Sequence, residues 1–204
     1  MNNFDSKAKD FDTKLRIDRS VAIAEEICKH ISKKGGKSAI DFGCGTGLVG
    51  FELINKFDSI IFLDSSVEMI KQVENKLKNA NTKNASAICC DLMDKIPENL
   101  SADYIFSSLV LHHITDTKTI LTHLYNILKP NGHLLIIDLD TDNGGFHAGH
   151  ADYDGHNGFS HEFLINLTKE IGFKKTEIKT FYNDIKIIGE LKHPYSLFIM
   201  DAIK

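Results

Sequence analysis

The strongest constraint on how this 204-residue chain folds is the stretch AIDFGCGTGLVG, residues 39–50. An apolar run ends in an acid, and Gly43, Gly45 and Gly47 then follow at every second position. Glycine loses more conformational freedom on ordering than any other residue and gives a core nothing to pack. Such a loop therefore serves to bring backbone amides close to a ligand. KSAIDF before it reads as a strand, and Leu48, Val49, Phe51, Leu53 and Ile54 after it begin a helix. The loop is then a first βα turn, and in parallel sheets ligands sit beyond the carboxyl ends of the strands.

The same rhythm continues. SIIFLD reads as a second strand, and Ser65 with Glu68 forms an S-x-x-E capping box ahead of the helical stripe Met69, Ile70, Val73 and Leu77. ASAICCD and ADYIFSSL predict two more strands, TILTHLYNILK an amphipathic helix, KPNG a turn, and HLLIIDLD a fifth strand. Residues 20–32 place Val21, Ala24, Ile27, Cys28 and Ile31 at helical spacing, with Gly35 or Gly36 as the cap. Ser160 opens a helix with Phe163, Leu164, Leu167 and Ile171 inward, closed by Gly172. FKKTEIKTFY, IKIIGEL and YSLFIMDAIK are strand-like without a helix between them, so the sheet finishes in an antiparallel hairpin. The expected fold is α/β, with a mostly parallel sheet covered by helices on both faces.

A dinucleotide site wants G-x-G-x-x-G aimed at a pyrophosphate. Here the third glycine comes one residue early, Leu48 stands in its place, and Asp41 precedes the loop. A carboxylate in that crevice repels a pyrophosphate and attracts an ammonium group. Asp64 ends the second strand, where a carboxylate accepts from both ribose hydroxyls, and Asp91 follows the third, where it can receive an adenine amine. Three acids without a phosphate clamp describe a nucleoside carrying cationic groups, as in S-adenosylmethionine.

AIDFGCGTG, FLDSS, CCDL, DYIFSSLVLHHI and LKPNGHLLIIDLD stand in the order and at the spacing of class I (Rossmann-like) S-adenosylmethionine-dependent methyltransferases of the small-molecule type, which the chain resembles over residues 37–140. The resemblance implies a three-layer sandwich whose seven-stranded sheet has its last strand inserted antiparallel. It puts Asp41, Gly43, Cys44, Gly45 and Gly47 around the methionine part of the cofactor and Asp64 on the ribose. Ser65, Met69, Asp91 and Leu92 fall around the adenine, and Ser107 with Leu109 near the sulfonium. Met69 equally fits an ordinary core stripe, and Ser107 and Leu109 ordinary strand-end packing.

Methyl transfer from a sulfonium needs alignment and exclusion of water, and a general base only where the acceptor must lose a proton. His112 and His113, after the fourth strand, are the candidate catalytic residues, because histidine titrates near neutral pH; a turn packing its rings is the alternative. The glycine- and histidine-rich loop after Asp142, together with residues 4–19, reads as a lid on the acceptor side, with Phe11, Arg19, His147, His150, Tyr153 and His156 as its candidate contacts. Phe4 and Lys14 belong to the same segment. The loop's H-x-x-H and H-x-x-x-x-H spacings match no helical zinc motif, so no metal is expected.

One domain is expected: residues 1–35 as a helical lid, 36–142 as the cofactor-binding core, and 143–204 as the acceptor-side loop, helix and hairpin. The formal net charge of -4 and the absence of an N-P-P-Y-type sequence after the fourth strand disfavour nucleic acid as a partner. Cys28, Cys44, Cys89 and Cys90 show no C-x-x-C spacing, so reduced thiols in a cytoplasm are expected. No secretory signal or membrane span is expected either, and the chain should act as a monomer or homodimer on a small-molecule methyl acceptor. The alternatives are a non-catalytic S-adenosylmethionine-binding regulator and an NAD-dependent oxidoreductase.

Overall fold

In a computed structural model, residues 5–32, 37–149 and 153–204 are described. Among them seven strands form one sheet: β1 (Ser38–Phe42), β2 (Ser59–Asp64), β3 (Ala85–Cys89), β4 (Ala102–Ser108), β5 (Leu128–Leu139), β6 (Lys175–Ile188) and β7 (Leu191–Ile203). Their order is β3-β2-β1-β4-β5-β7-β6. β7 runs antiparallel to both its neighbours, and the other paired strands run parallel. The helices are α1 (Lys14–Cys28), α2 (Leu48–Leu53), α3 (Val67–Asn79), α4 (Thr117–Ile127) and α5 (His161–Ile171).

Successive strand residues point to opposite faces, so the apolar run of β5 feeds two cores at once. Leu134 and Ile136 pack with Ile120, Leu124 and Leu164 of α4 and α5. Leu135 and Ile137 pack with Ile23, Ile27 and Leu53 of α1 and α2. Phe62, Phe106 and Phe198 are fully buried in these layers, each stabilising the fold by about 1.5 to 3 kcal/mol through apolar burial. No described helix is long and apolar enough to cross a membrane.

Several local expectations shift. α1 starts at Lys14, capped by Thr13, and buries Ser20, Ile23, Ala24 and Ile27 while Val21 is exposed; in the six residues before the expected start the apolar Leu15 and Ile17 are exposed, so they do not extend the buried stripe that begins at Ser20. The cap of α3 is Ser66, whose Oγ accepts from the Met69 amide at 3.2 Å, rather than Ser65. Phe163 is exposed at the first turn of α5, although Leu164 and Leu167 are buried as expected. The three strand-like segments at the end make two strands, since FKKTEIKTFY and IKII run on as β6 and turn at Gly189. The KPNG turn lies within β5, where Asn131 has φ of 61° and its amide donates to the Lys204 carbonyl. The expected cap at Gly35 or Gly36 lies outside the described residues, as do Phe4 and His150.

Candidate active site

The parallel register sets the carboxyl ends of β1 and β2 side by side, Phe42 against Leu63, with β4 on the other flank. The turns leaving them surround a cavity of about 600 Å³. Gly43 takes φ of 67° to turn out of β1, and a Cβ there would lie 2.4 Å from Val110 Cγ2, so the β1 and β4 turns meet with no room for a side chain. Gly50, inside α2, has the same role against β2. Its absent Cβ would fall 2.3 Å from Phe62 Cε1 and 2.5 Å from Asp41 Oδ2, and so α2 seats directly over the acid.

Asp41 lines the cavity yet is only 2% exposed, and its Oδ2 has no hydrogen-bond partner among the described residues. Burial, then the charge of nearby Asp64, push its carboxyl up to about 8 against the pull of the Gly50 amide. Asp64 Oδ2 accepts from the Gly45 amide and Oδ1 from the Ser66 amide, each at 2.8 Å. Burial raises its pKa despite those amides. Burial and the two carboxylates also keep the Cys44 thiol protonated. The glycine loop is therefore pinned to the end of β2 through Asp64, while Asp41 is left with a buried oxygen, lodged against Gly50, that has no hydrogen-bond partner among the described residues.

The amino-terminal segment closes over this loop. Asp12 pairs with the Lys76 ammonium at 2.7 Å and with the Thr46 hydroxyl, and Lys76 also donates to the Thr46 carbonyl at 2.8 Å. Phe11 lies over Gly45, whose absent Cβ would sit 3.7 Å from the ring. The Arg16 guanidinium covers that ring at 4.2 Å and donates to the Phe11 carbonyl. Arg19 lines the cavity beside Ser20 and donates to the Tyr195 hydroxyl at 3.3 Å, which ties α1 to β7.

Beyond β4 the chain passes Leu109, a non-glycine residue at φ of 57° whose amide donates to the Ile137 carbonyl. This left-handed conformation costs of order 1 to 2 kcal/mol for a residue with a Cβ. It brings Ser108, Leu109 and Val110 to the cavity wall before the turn Leu111–His113.

The profile of the methyltransferase domain family matches residues 33–180. The chain belongs to that family. Its fold is that of class I S-adenosylmethionine-dependent methyltransferases. The chain is 31% identical over 160 residues to an uncharacterised methyltransferase of Schizosaccharomyces pombe, covering 72% of this chain and 56% of the relative. It is 33% identical over 135 residues to a malonyl-[acyl-carrier protein] O-methyltransferase of Ilyobacter polytropus, covering 65% and 51%. The chain thus spans about half the length of the curated relatives it matches. Among solved structures, a complex of Haemonchus contortus phosphoethanolamine N-methyltransferase 2 with phosphomonomethylethanolamine and S-adenosylhomocysteine shares the fold, with a TM-score of 0.74 at 18% identity, over 90% of this chain and 52% of that one. Nothing in these matches supports the nicotinamide oxidoreductase or the regulator.

Of the residues expected around the methyltransferase cofactor, Asp41, Gly43, Cys44, Gly45, Asp64, Ser65, Met69, Asp91, Leu92 and Leu109 line the cavity. Asp91 is two residues past the end of β3, and its Oδ1 accepts from the Met93 amide. Gly47 does not line the cavity; it starts α2 in the left-handed conformation at φ of 83°. Ser107 is also set back, buried within β4, and Ser108 takes the lining position. His113 lines the cavity, but His112 is 1% exposed behind it, with Nδ1 2.5 Å from Asp138 Oδ1.

Phe11 and Arg19 reach the cavity, whereas the described part of the histidine loop does not line it. His147 and Tyr153 stack at 3.7 Å behind the turn after β4. The His156 ring meets the Thr117 hydroxyl and the Ile114 and Thr115 carbonyls, and its amide donates to the His112 carbonyl at 2.7 Å. Backbone carbonyls left open by the turn draw these polar side chains inward. Arg16, Ser20, Ile23 and Val110 also line the cavity and were absent from the sequence-based expectation. Recognising Thr13 as a helix cap would have put the first three on one inward face of α1.

Proposed function

We propose that this chain binds S-adenosylmethionine in the 600 Å³ cavity and transfers its methyl group to a small-molecule acceptor carrying an anionic group. The observation that carries the reading is Asp41, a buried carboxylate with an oxygen lacking a partner among the described residues. Burial, then the neighbouring Asp64, raise its pKa, and a ligand cation nearby would offset that cost. The residues present therefore fit the amino-acid end of this cofactor.

Asp41 would face the cofactor's ammonium group, and the Gly43 and Gly45 backbone would follow its methionine chain. Asp64 would accept from the ribose hydroxyls while keeping its amide bonds, since a carboxylate has about four acceptor sites. Ser65, Met69, Asp91 and Leu92 would flank the adenine, and Ser108, Leu109 and Val110 the sulfonium end. When bound, the cofactor supplies an electrophilic methyl group. This chain's part is to hold donor and acceptor in line and to exclude water.

Phe11, Arg16 and Arg19 form the acceptor side of the same cavity. Their two guanidinium groups favour an acceptor bearing a carboxylate or phosphate. His113 is the side chain on that wall suited to taking a proton from the acceptor. The amino-terminal segment, tied down through Asp12, acts as the lid.

The test has two arms. Calorimetric titration with S-adenosylhomocysteine should give saturable binding, and NAD should give none; binding of NAD alone overturns the reading. Isotopically labelled methyl from S-adenosylmethionine should then appear in an acidic metabolite of a cell extract. Binding of the cofactor with no labelled product would leave the non-catalytic regulator as the better description.

A further inference from the structure

Behind the wall of the cavity, His112 and His113 of the turn after β4 meet His147 of the turn Gly145–His147. One ring nitrogen from each lies within 4.8 Å of the other two. The ring centroids are 4.1, 5.0 and 5.7 Å apart for the three pairs. We propose that these three histidines form a site for a divalent transition-metal ion of the zinc type, set into the cavity wall through His113.

The surroundings are those of a built site. Asp138 of β5 is fully buried and uses both oxygens: Oδ1 is 2.5 Å from His112 Nδ1 and 2.7 Å from the Leu139 amide, and Oδ2 accepts from the His112 amide at 3.1 Å. That leaves Nε2 of His112 as the ligand atom. A carboxylate fixing the far nitrogen of a histidine is the usual outer support of a ligating imidazole, setting its tautomer and raising its basicity. It also places an acidic side chain one ring away from the ion.

Aromatic rings shield the cluster. Tyr153 stacks on His147 with planes 5° apart, and Phe146 lies edge-on to both His112 and His147 at 6.3 and 5.0 Å. The Tyr153 hydroxyl is 2.8 Å from the His112 carbonyl, which holds that turn in place.

Three neutral imidazoles suit zinc and its first-row neighbours better than magnesium or calcium, which prefer oxygen. Zinc–nitrogen bonds of about 2.0 Å in a tetrahedron put ligand nitrogens about 3.3 Å apart. The rings therefore close by about 1.5 Å on binding, a movement that small side-chain rotations supply. Three protein ligands leave a fourth position, the pattern of an open rather than a purely structural site. A metal-bound His113 has no nitrogen left to accept a proton, so in the loaded protein the fourth position at the cavity wall would take a donor atom of the acceptor in place of proton uptake by that ring; this last role rests on the methyl-transfer reading, whereas metal binding itself does not.

The test uses tag-free full-length protein, stripped with a chelator and titrated with cobalt(II) and then zinc. One cobalt per chain with tetrahedral or five-coordinate ligand-field bands, displaced by zinc, is expected. His147→Gln should abolish the bands while S-adenosylhomocysteine binding stays unchanged, because His147 does not line the cavity. Asp138→Asn should weaken metal affinity about 10- to 100-fold. Bands that persist in a folded His147→Gln variant, or no bands in the wild-type protein, overturn the proposal. Should His147→Gln not fold, X-ray absorption of zinc-loaded wild-type protein decides: three imidazole nitrogens at about 2.0 Å support it, and sulfur at about 2.3 Å or a single imidazole overturns it. Loss of S-adenosylhomocysteine binding by the wild type would count against the proposed function alone.

Discussion

Replacing Asp41 by Asn removes a buried titratable group without changing the shape of the side chain, and it should change how stability depends on pH. The carboxyl is pushed up to about 8 in the folded chain by burial and by Asp64, whereas in the unfolded chain it titrates near an ordinary aspartate value of about 3.9. Between those values the folded state holds a proton that the unfolded state has released. Stability from this group is thus fully present below about pH 4 and is lost as pH rises through about 8. Each pH unit in that window contributes about 1.4 kcal/mol. From pH 5 to pH 8, the wild-type chain should lose about 4 kcal/mol that the Asn variant keeps. Urea denaturation of both ligand-free proteins at several pH values in that window measures the difference. Curves that run parallel from pH 5 to pH 8 would refute the reasoning. The same proton must leave for Asp41 to meet a ligand cation. Wild-type affinity for S-adenosylhomocysteine should therefore rise by up to tenfold per pH unit below about 8 and then level off, while the variant's stays flat.

Asp64→Ala should weaken S-adenosylhomocysteine by about 1 to 3 kcal/mol in calorimetry, since it removes a charged acceptor and frees the Gly45 and Ser66 amides it now holds. Gly43→Ala should destabilise the fold by about 1 to 3 kcal/mol and abolish that binding: φ of 67° is strained for alanine, and its Cβ would meet Val110. Asp103 should give a pH slope opposite to that of Asp41. Against the upward push of burial, the Ser38 amide and hydroxyl and the Lys129 ammonium hold it at about 2. Its stabilisation of about 2 kcal/mol is present above about pH 4 and lost as pH falls through about 2, so Asp103→Asn should cost that amount in neutral denaturation and nothing near pH 2.

The parallel core was legible because its signals are local. Each strand is a short apolar run, each turn carries its own glycine or capping residue, and Asp41 and Asp64 sit at strand ends that the alternation itself identifies. What was hidden depends on partners distant in sequence. Gly50 looks like one more helix residue until β2 places Phe62 beneath it. Ser107 and Ser108 differ only in which face of β4 they occupy, and one residue of register exchanges the buried serine for the lining one. Arg16 gave no signal because its apolar neighbour, Phe11, precedes the helix rather than lying on it. The loop histidines suggested their own spacing as the pattern to judge, yet the cluster pairs His147 with two residues more than thirty positions away.

The placement of β7 between β5 and β6 also orders events in the life of the chain. β6 hydrogen-bonds along its length only to β7 among the described strands, so it cannot join the sheet when it first leaves the ribosome. The two strands are joined by a tight turn, and such local pairing forms well before distant contacts. The hairpin should therefore form as a unit and dock onto β5 afterwards, its Asp201 accepting His133 of β5 and His30 beyond the end of α1. The Gly-loop half of the cavity is complete in sequence by β4, but Tyr195, which holds Arg19, arrives with that hairpin. Nascent chains stalled after β5 should thus be able to form the donor half while lacking the acceptor half, and the ability to bind cofactor should precede the ability to use it.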